Sequence, residues 1–157
     1  MGSVASSLGL GSQFTYKEKT YTLSPWDFSI QANFERYIED KAVQAARRMQ
    51  RHLPEKDYSE LLAKVTRDIA TGVYSFGGEV ISESLKSVEN LQHLVFLMLK
   101  KNHPEVTPQL VKEIFKEEMD LVLQKMNEAN ADPDALPKPG EEGQDPNAPA
   151  GPAPGPG

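Results

Sequence analysis

The stretch Leu91–Ile114, LQHLVFLMLKKNHPEVTPQLVKEI, decides the fold of this 157-residue chain. Leu91, Leu94, Val95, Phe96, Leu97, Met98 and Leu99 leave little polar surface on its first half. A helix that is apolar nearly all round has to be covered on several sides, so this segment marks the centre of a core. The pattern predicts a helix over Ser87–Lys101, closed by Lys-Lys-Asn-His-Pro because a proline disfavours helical geometry in the residue before it. Thr107-Pro108 then opens another helix, a side-chain cap followed by a residue with φ already set. Its stripe of Leu110, Val111, Ile114, Phe115, Met119, Val122 and Met126 runs on to about Asn130.

Working outward toward the N-terminus, Glu79–Lys86 reads as a short helix or turn, and Val73–Gly78 (VYSFGG) as a connector holding two aromatics. Tyr58, Leu61, Leu62, Val65 and Ile69 form the stripe of a helix starting near Asp57 and stopped by Gly72. Before it, Trp26, Ile30, Phe34, Tyr37, Ile38, Ala42, Ala45 and Met49 recur at spacings of three and four. They predict a helix of about seven turns that ends before Pro54, with Ser24 as its cap and Pro25 at its first position. Gln13–Lys17 and Thr20–Leu23 alternate apolar and polar residues, as the strands of a hairpin do. A turn at Glu18-Lys19 sets Phe14 against Leu23 and Tyr16 against Tyr21. The expected fold is mainly α: a small domain of four to five helices with an N-terminal β-hairpin, over residues 13–130, after a flexible stretch 1–12.

Residues 131–157 read differently. They hold eight Pro, five Gly and no aromatic residue. Such a segment buries too little apolar surface to offset its ordering entropy, so a disordered tail is expected. The tail also carries five acidic residues against Lys138, which is −4 of the net −6. The remainder is close to neutral, unlike a nucleic-acid-binding domain, whose affinity comes from neutralising phosphates. One basic run, from Lys41 to Lys56, suits the C-terminal end of a helix dipole. No apolar run reaches the length of a membrane span, and no cysteine is available for a disulfide or a thiolate metal site.

The residues give no sign of catalysis. His52, His93 and His103 stand at no metal-ligand spacing. Glu35 with Glu39 and Glu113 with Glu117 are i,i+4 pairs with basic neighbours, as on a solvated helix face. Gly77-Gly78 lacks the Gly-Lys-Ser/Thr ending of a phosphate loop. The expectation is a protein with no enzymatic activity, no cofactor and no metal, acting through apolar surface. Met49, Met98, Met119 and Met126 either fill gaps in a core or serve an adaptable contact surface.

Two segments resemble a known family. FTYKEKTYTLSPWDFSIQANFERYIE, from Phe14, looks like the opening of small tailed-phage proteins in which a short hairpin leads into a helix. LVFLMLKKNHPEVTPQLVKEI is similar to the hydrophobic-helix, basic, His-Pro-x-Val-Thr, helix sequence of phage tail assembly chaperones. Residues 47–87 match nothing in that family, and the hairpin turn lacks the glycine expected there. The resemblance implies a chaperone of tail morphogenesis in the bacterial host cytoplasm. It implies binding to apolar helical segments of a tape-measure protein, with tail tube protein or further copies of the chain as other partners. Nucleic acid and membrane are not among them. The alternative is a minor structural or connector protein of the particle. Candidate contact residues, chosen as exposed apolar groups, are Tyr74 and Phe76 in the connector and Phe115 and Met119 on the last helix.

Overall fold

The structure, a computed structural model, describes residues 11–131. Strands β1 (Ser12–Tyr16) and β2 (Lys19–Leu23) form a hairpin, and five α-helices follow. These are α1 (Phe28–Arg48), extended by a 3-10 turn at Met49–Arg51, α2 (Glu55–Ala70), α3 (Glu79–Ser84), α4 (Val88–Lys100) and α5 (Pro108–Ala129). The mainly α fold with an N-terminal hairpin is therefore as the sequence predicts. Residues 1–10 and most of the expected tail, 132–157, lie outside the described residues.

The folded part begins earlier than position 13. Ser12 is buried and its hydroxyl donates to Glu128 Oε2 at 3.2 Å, tying β1 to the end of α5. Gly11 has φ +93°, and a Cβ there would stand 2.0 Å from the Leu23 carbonyl oxygen. Only glycine lets the chain enter the hairpin at that approach.

The hairpin register differs from expectation by two residues. Phe14 pairs with Tyr21 and Tyr16 with Lys19, so the turn is Lys17-Glu18. Both turn residues have positive φ, 46° and 64°, as a two-residue turn matching strand twist demands. Side chains alternate with period two, so a slip of two keeps every residue on its face. Phe14, Tyr16, Tyr21 and Leu23 are all buried.

The start of α1 also moves. Asp27, not Ser24, is the cap, its Oδ1 accepting from the Ile30 amide at 2.9 Å. Ser24 is instead locked onto the following layer, its amide donating to the Met98 carbonyl at 3.1 Å. Ile30, Phe34 and Ile38 face inward, and Ala46, one position beyond the expected Ala45, is buried as well. Helix α2 begins at Glu55 and ends on Gly72, where the Val73 amide bonds to Asp68 O and the Gly72 amide to Ile69 O. That pair of bonds around a glycine at φ +74° is the Schellman stop. Helix α2 packs against α1, and only Val65 of its stripe is fully buried.

Helix α4 lies at the centre, touching α1, α5 and β2, with Leu94, Val95, Met98 and Leu99 fully buried. Its joint to α5 covers the outer edge of β2. His103 Nε2 accepts from the Thr22 amide at 2.8 Å, and Asn102 Nδ2 donates to the Thr22 carbonyl and to Ser24 Oγ. His103 thus serves as a cap on the open edge of β2. Thr107 caps α5 as predicted, accepting from the Leu110 amide at 3.2 Å. At Glu118 the helix departs from helical geometry, with φ −136° and ψ 33°.

Candidate functional site

The kink in α5 decides the fate of two candidate contact residues. Phe115 is only 4% exposed and belongs to the core with Val111, Ile114 and Val122. The expectation that it lies on the surface is corrected: its place on the stripe faces α4 and the hairpin. Met119, one turn on, would share that face in a straight helix. The break at Glu118 turns it out instead, leaving it 39% exposed.

The connector aromatics are half-buried rather than displayed. Phe76 packs edge-on against Trp26 and Phe34, with centroids 5.3 and 6.1 Å apart. Its amide donates to Glu35 Oε1, so that carboxylate anchors the connector to α1 and is not simply solvated. Tyr74 is partly buried and packs against the same core. The four candidates do not form one surface.

A different residue stands out. Phe28, the first residue of α1, is 88% exposed. The helix start explains why. Trp26 is held inward, its amide donating to Asn130 Oδ1 at 2.7 Å and its indole N–H to Met98 Sδ at 3.2 Å. The Gln31 side chain donates to the Trp26 carbonyl at 2.8 Å, and Asp27 pairs with Lys101. With Ile30 pointing into the core, Phe28 lies about 200° away around the helix and must point out. On a different face of α1, toward α4, runs a shallow groove lined by Ser29, Ile30 and Asn33 of α1 and by Leu97, Lys100 and Lys101 of α4. Its apolar floor is Ile30 and Leu97, and its cationic rim is Lys100 and Lys101. Phe28 was absent from the predicted stripe of α1, and that was the available signal. An aromatic out of phase with its own helix has no core position to fill.

Two further surface features are polar. A small cleft is lined by Tyr37, Glu89, His93, Phe96 and Lys112. His93 stacks on Tyr37 with centroids 3.7 Å apart, and burial, then nearby Lys41, holds its pKa below the usual 6.5. Lys41 is engaged within the protein, donating to Asn90 Oδ1 at 2.9 Å and pairing with Glu89 at 3.3 Å. Burial opposes its charge, but bonds to Tyr37 and Glu89 outweigh this and hold its pKa above 10.5. The buried Asn90 returns the bond by donating to the Ser84 carbonyl at 2.8 Å. At the far end of α1, Arg47, Arg48, Arg51 and His52 surround a shallow depression.

Among the described residues, no three His, Asp or Glu side chains gather as metal ligands, and no helix is long and apolar enough to cross a membrane. No protein-family model, curated protein or solved structure matches this chain.

Proposed function

We propose that the chain is a non-enzymatic binding protein whose exposed Phe28 receives an apolar helical segment of another protein. In that role it acts as a tail assembly chaperone for a phage tape-measure protein in the host cytoplasm. The observation that carries the binding role is Phe28 standing 88% exposed at the start of α1. An aromatic left in water forgoes about 1.5–3 kcal/mol that burial would return. An exposed aromatic at the start of a helix suits the apolar face of an amphipathic helix laid against it. One anchor of this size gives weak, reversible binding, and a chaperone must release its client before the tube closes. The specific client rests on the family resemblance of the two quoted segments.

Co-expression tests both levels. The wild-type chain should keep a tape-measure protein soluble. Phe28→Ser should fold normally, its site being almost wholly in water, and should lose most of the rescue. Phe115→Asp is no test, since it places a charge in the core. Failure of the wild type to rescue any tape-measure protein refutes the chaperone role. Mass spectrometry of purified particles should find the chain absent, and a stoichiometric presence would favour the structural or connector role instead.

A further inference from the structure

Two surface patches of opposite charge each surround an exposed methionine. Helix α1 closes on Arg47 and Arg48, and the turn that extends it adds Arg51 and His52, all exposed around a shallow depression. Met49, at the start of that turn, is 39% exposed. A helix C-terminus favours cations, but its dipole amounts to only about half a charge. Three guanidiniums exceed it, and none of them has a carboxylate within ion-pair distance among the described residues.

The second patch lies where α5 breaks. Glu117, Glu118 and Asp120, with Lys116 among them, border a shallow surface around Met119, which is also 39% exposed. Glu117 has Lys17 at 3.8 Å, whereas Glu118 and Asp120 have no cation within that reach among the described residues. The helix dipole gives no reason for these carboxylates, because its effect is confined to the first and last turns and they stand in the middle. Side by side they repel one another, and a cationic partner would relieve that repulsion.

We propose that the two patches are the two halves of one contact between copies of this chain. The arginine end of α1 in one copy sits on the broken acidic segment of α5 in the next, with Met49 and Met119 at the centre. Guanidinium and carboxylate match in geometry as well as in charge, since the planar fork donates two parallel bonds to one carboxylate. Methionine side chains adapt to each other's shape at such a seam. Because the two patches differ, the contact is head-to-tail. A pair of copies keeps one patch of each kind free, so further copies add in series. Exposed ion pairs are individually weak and the patches are small, so association is populated at protein concentrations on the order of 100 μM. Phe28 belongs to neither patch, and the contact stands or falls apart from the client-binding role.

Sedimentation velocity of the full-length chain tests this through the sign of its salt dependence. Copies with a net charge of −6 repel one another as wholes, and that repulsion is strongest at low salt. Complementary patches give the opposite trend. Association should weaken at least tenfold between about 0.01 M and about 1 M salt, as the screening length falls from ~30 Å to ~3 Å. A monomer at every salt concentration, or association that strengthens with salt, overturns the proposal. Arg47→Glu with Arg51→Glu makes both patches acidic, and Glu118→Lys with Asp120→Lys makes both basic. Each double variant alone should lose self-association at low salt. An equimolar mixture should regain it, although both variants remain net acidic, each swap moving the charge of −6 by four. Recovery in the mixture also shows that both variants are folded. No recovery, or a Glu118→Lys/Asp120→Lys variant that self-associates like wild type, overturns the pairing of these patches. Phe28→Ser should associate as wild type does. Its loss of association would assign the contact to the exposed aromatic instead and overturn the proposal.

Discussion

At the scale of a single residue, His103 does what no local pattern announces. In a two-residue hairpin, alternate amides of β2 point away from β1, and Thr22 is one of these. An open strand edge is a template for unwanted pairing, so it has to be covered. His103, 81 residues away in sequence, supplies the acceptor at 2.8 Å. Removing it leaves a partly buried N–H without a partner, and such a donor costs about 1–3 kcal/mol. His103→Ala should therefore lower the unfolding free energy by that amount in urea denaturation. His103→Gln, which offers an oxygen near the same place, should recover part of it. Equal stability of His103→Ala and wild type would show the edge to be satisfied by water. The sequence marks this histidine as belonging to a joint, and its distance from Thr22 hides the role. The contact exists only once α4 has brought the joint beside β2.

At the scale of elements, the pattern fixes faces more firmly than ends. The hairpin's apolar face is legible because alternation survives a slip of two, whereas the turn is not, since Lys17 and Glu18 carry no turn signature. Both residues sit at positive φ without being glycine or asparagine, which costs each about a kilocalorie. Lys17→Asn with Glu18→Gly should remove most of that strain and raise stability by ~1 kcal/mol, or roughly 3–5 °C in Tm. The lost Lys17–Glu117 pair, 3.8 Å apart and exposed, offsets little of it. A fall in Tm would mean that the native turn makes contacts beyond its backbone. The cap of α1 misleads for a related reason. Ser24-Pro25 has the right wording, but Ser24 is claimed by Met98 and Asn102, so Asp27 takes the capping role. In α5 the stripe correctly places Phe115 and Met119 on one helix, and the break at Glu118 separates them. Nothing in the local residues encodes that break. Of the candidate surface, Phe28 is readable in its phase on α1, while the groove lined by α1 and α4 depends on the crossing of two helices distant in sequence.

At the scale of the whole molecule, the titratable groups bound the pH range in which these contacts hold together. His93 is pressed between Phe34, Tyr37 and Phe96 at the seam of α1 and α4, and burial with the nearby Lys41 charge lowers its pKa from 6.5. As pH falls past 6.5 the unfolded chain takes up that proton before the folded one does. The unfolded state then binds more protons, so stability falls with pH through this window. Glu128, which closes β1 onto α5, has its pKa lowered from 4.5 by Lys125, against burial, with help from Gln124 and Ser12. Its contribution is present above 4.5 and is lost as pH falls through the lower folded value. Lys41 works in the opposite sense, because its raised pKa gives stability below 10.5 that is lost as pH climbs through the folded value. The molecule should thus be most stable between about pH 7 and 10, declining first through the α1–α4 seam and then through the hairpin–α5 contact as acid is added. The decisive measurement is an NMR titration of the His93 ring in the folded protein. Its midpoint should lie below 6.5 and move upward in Lys41→Gln, where one of the two causes is gone. A midpoint at or above 6.5 would place His93 outside the stacked seam, and the acid decline would then have to start with the carboxylates.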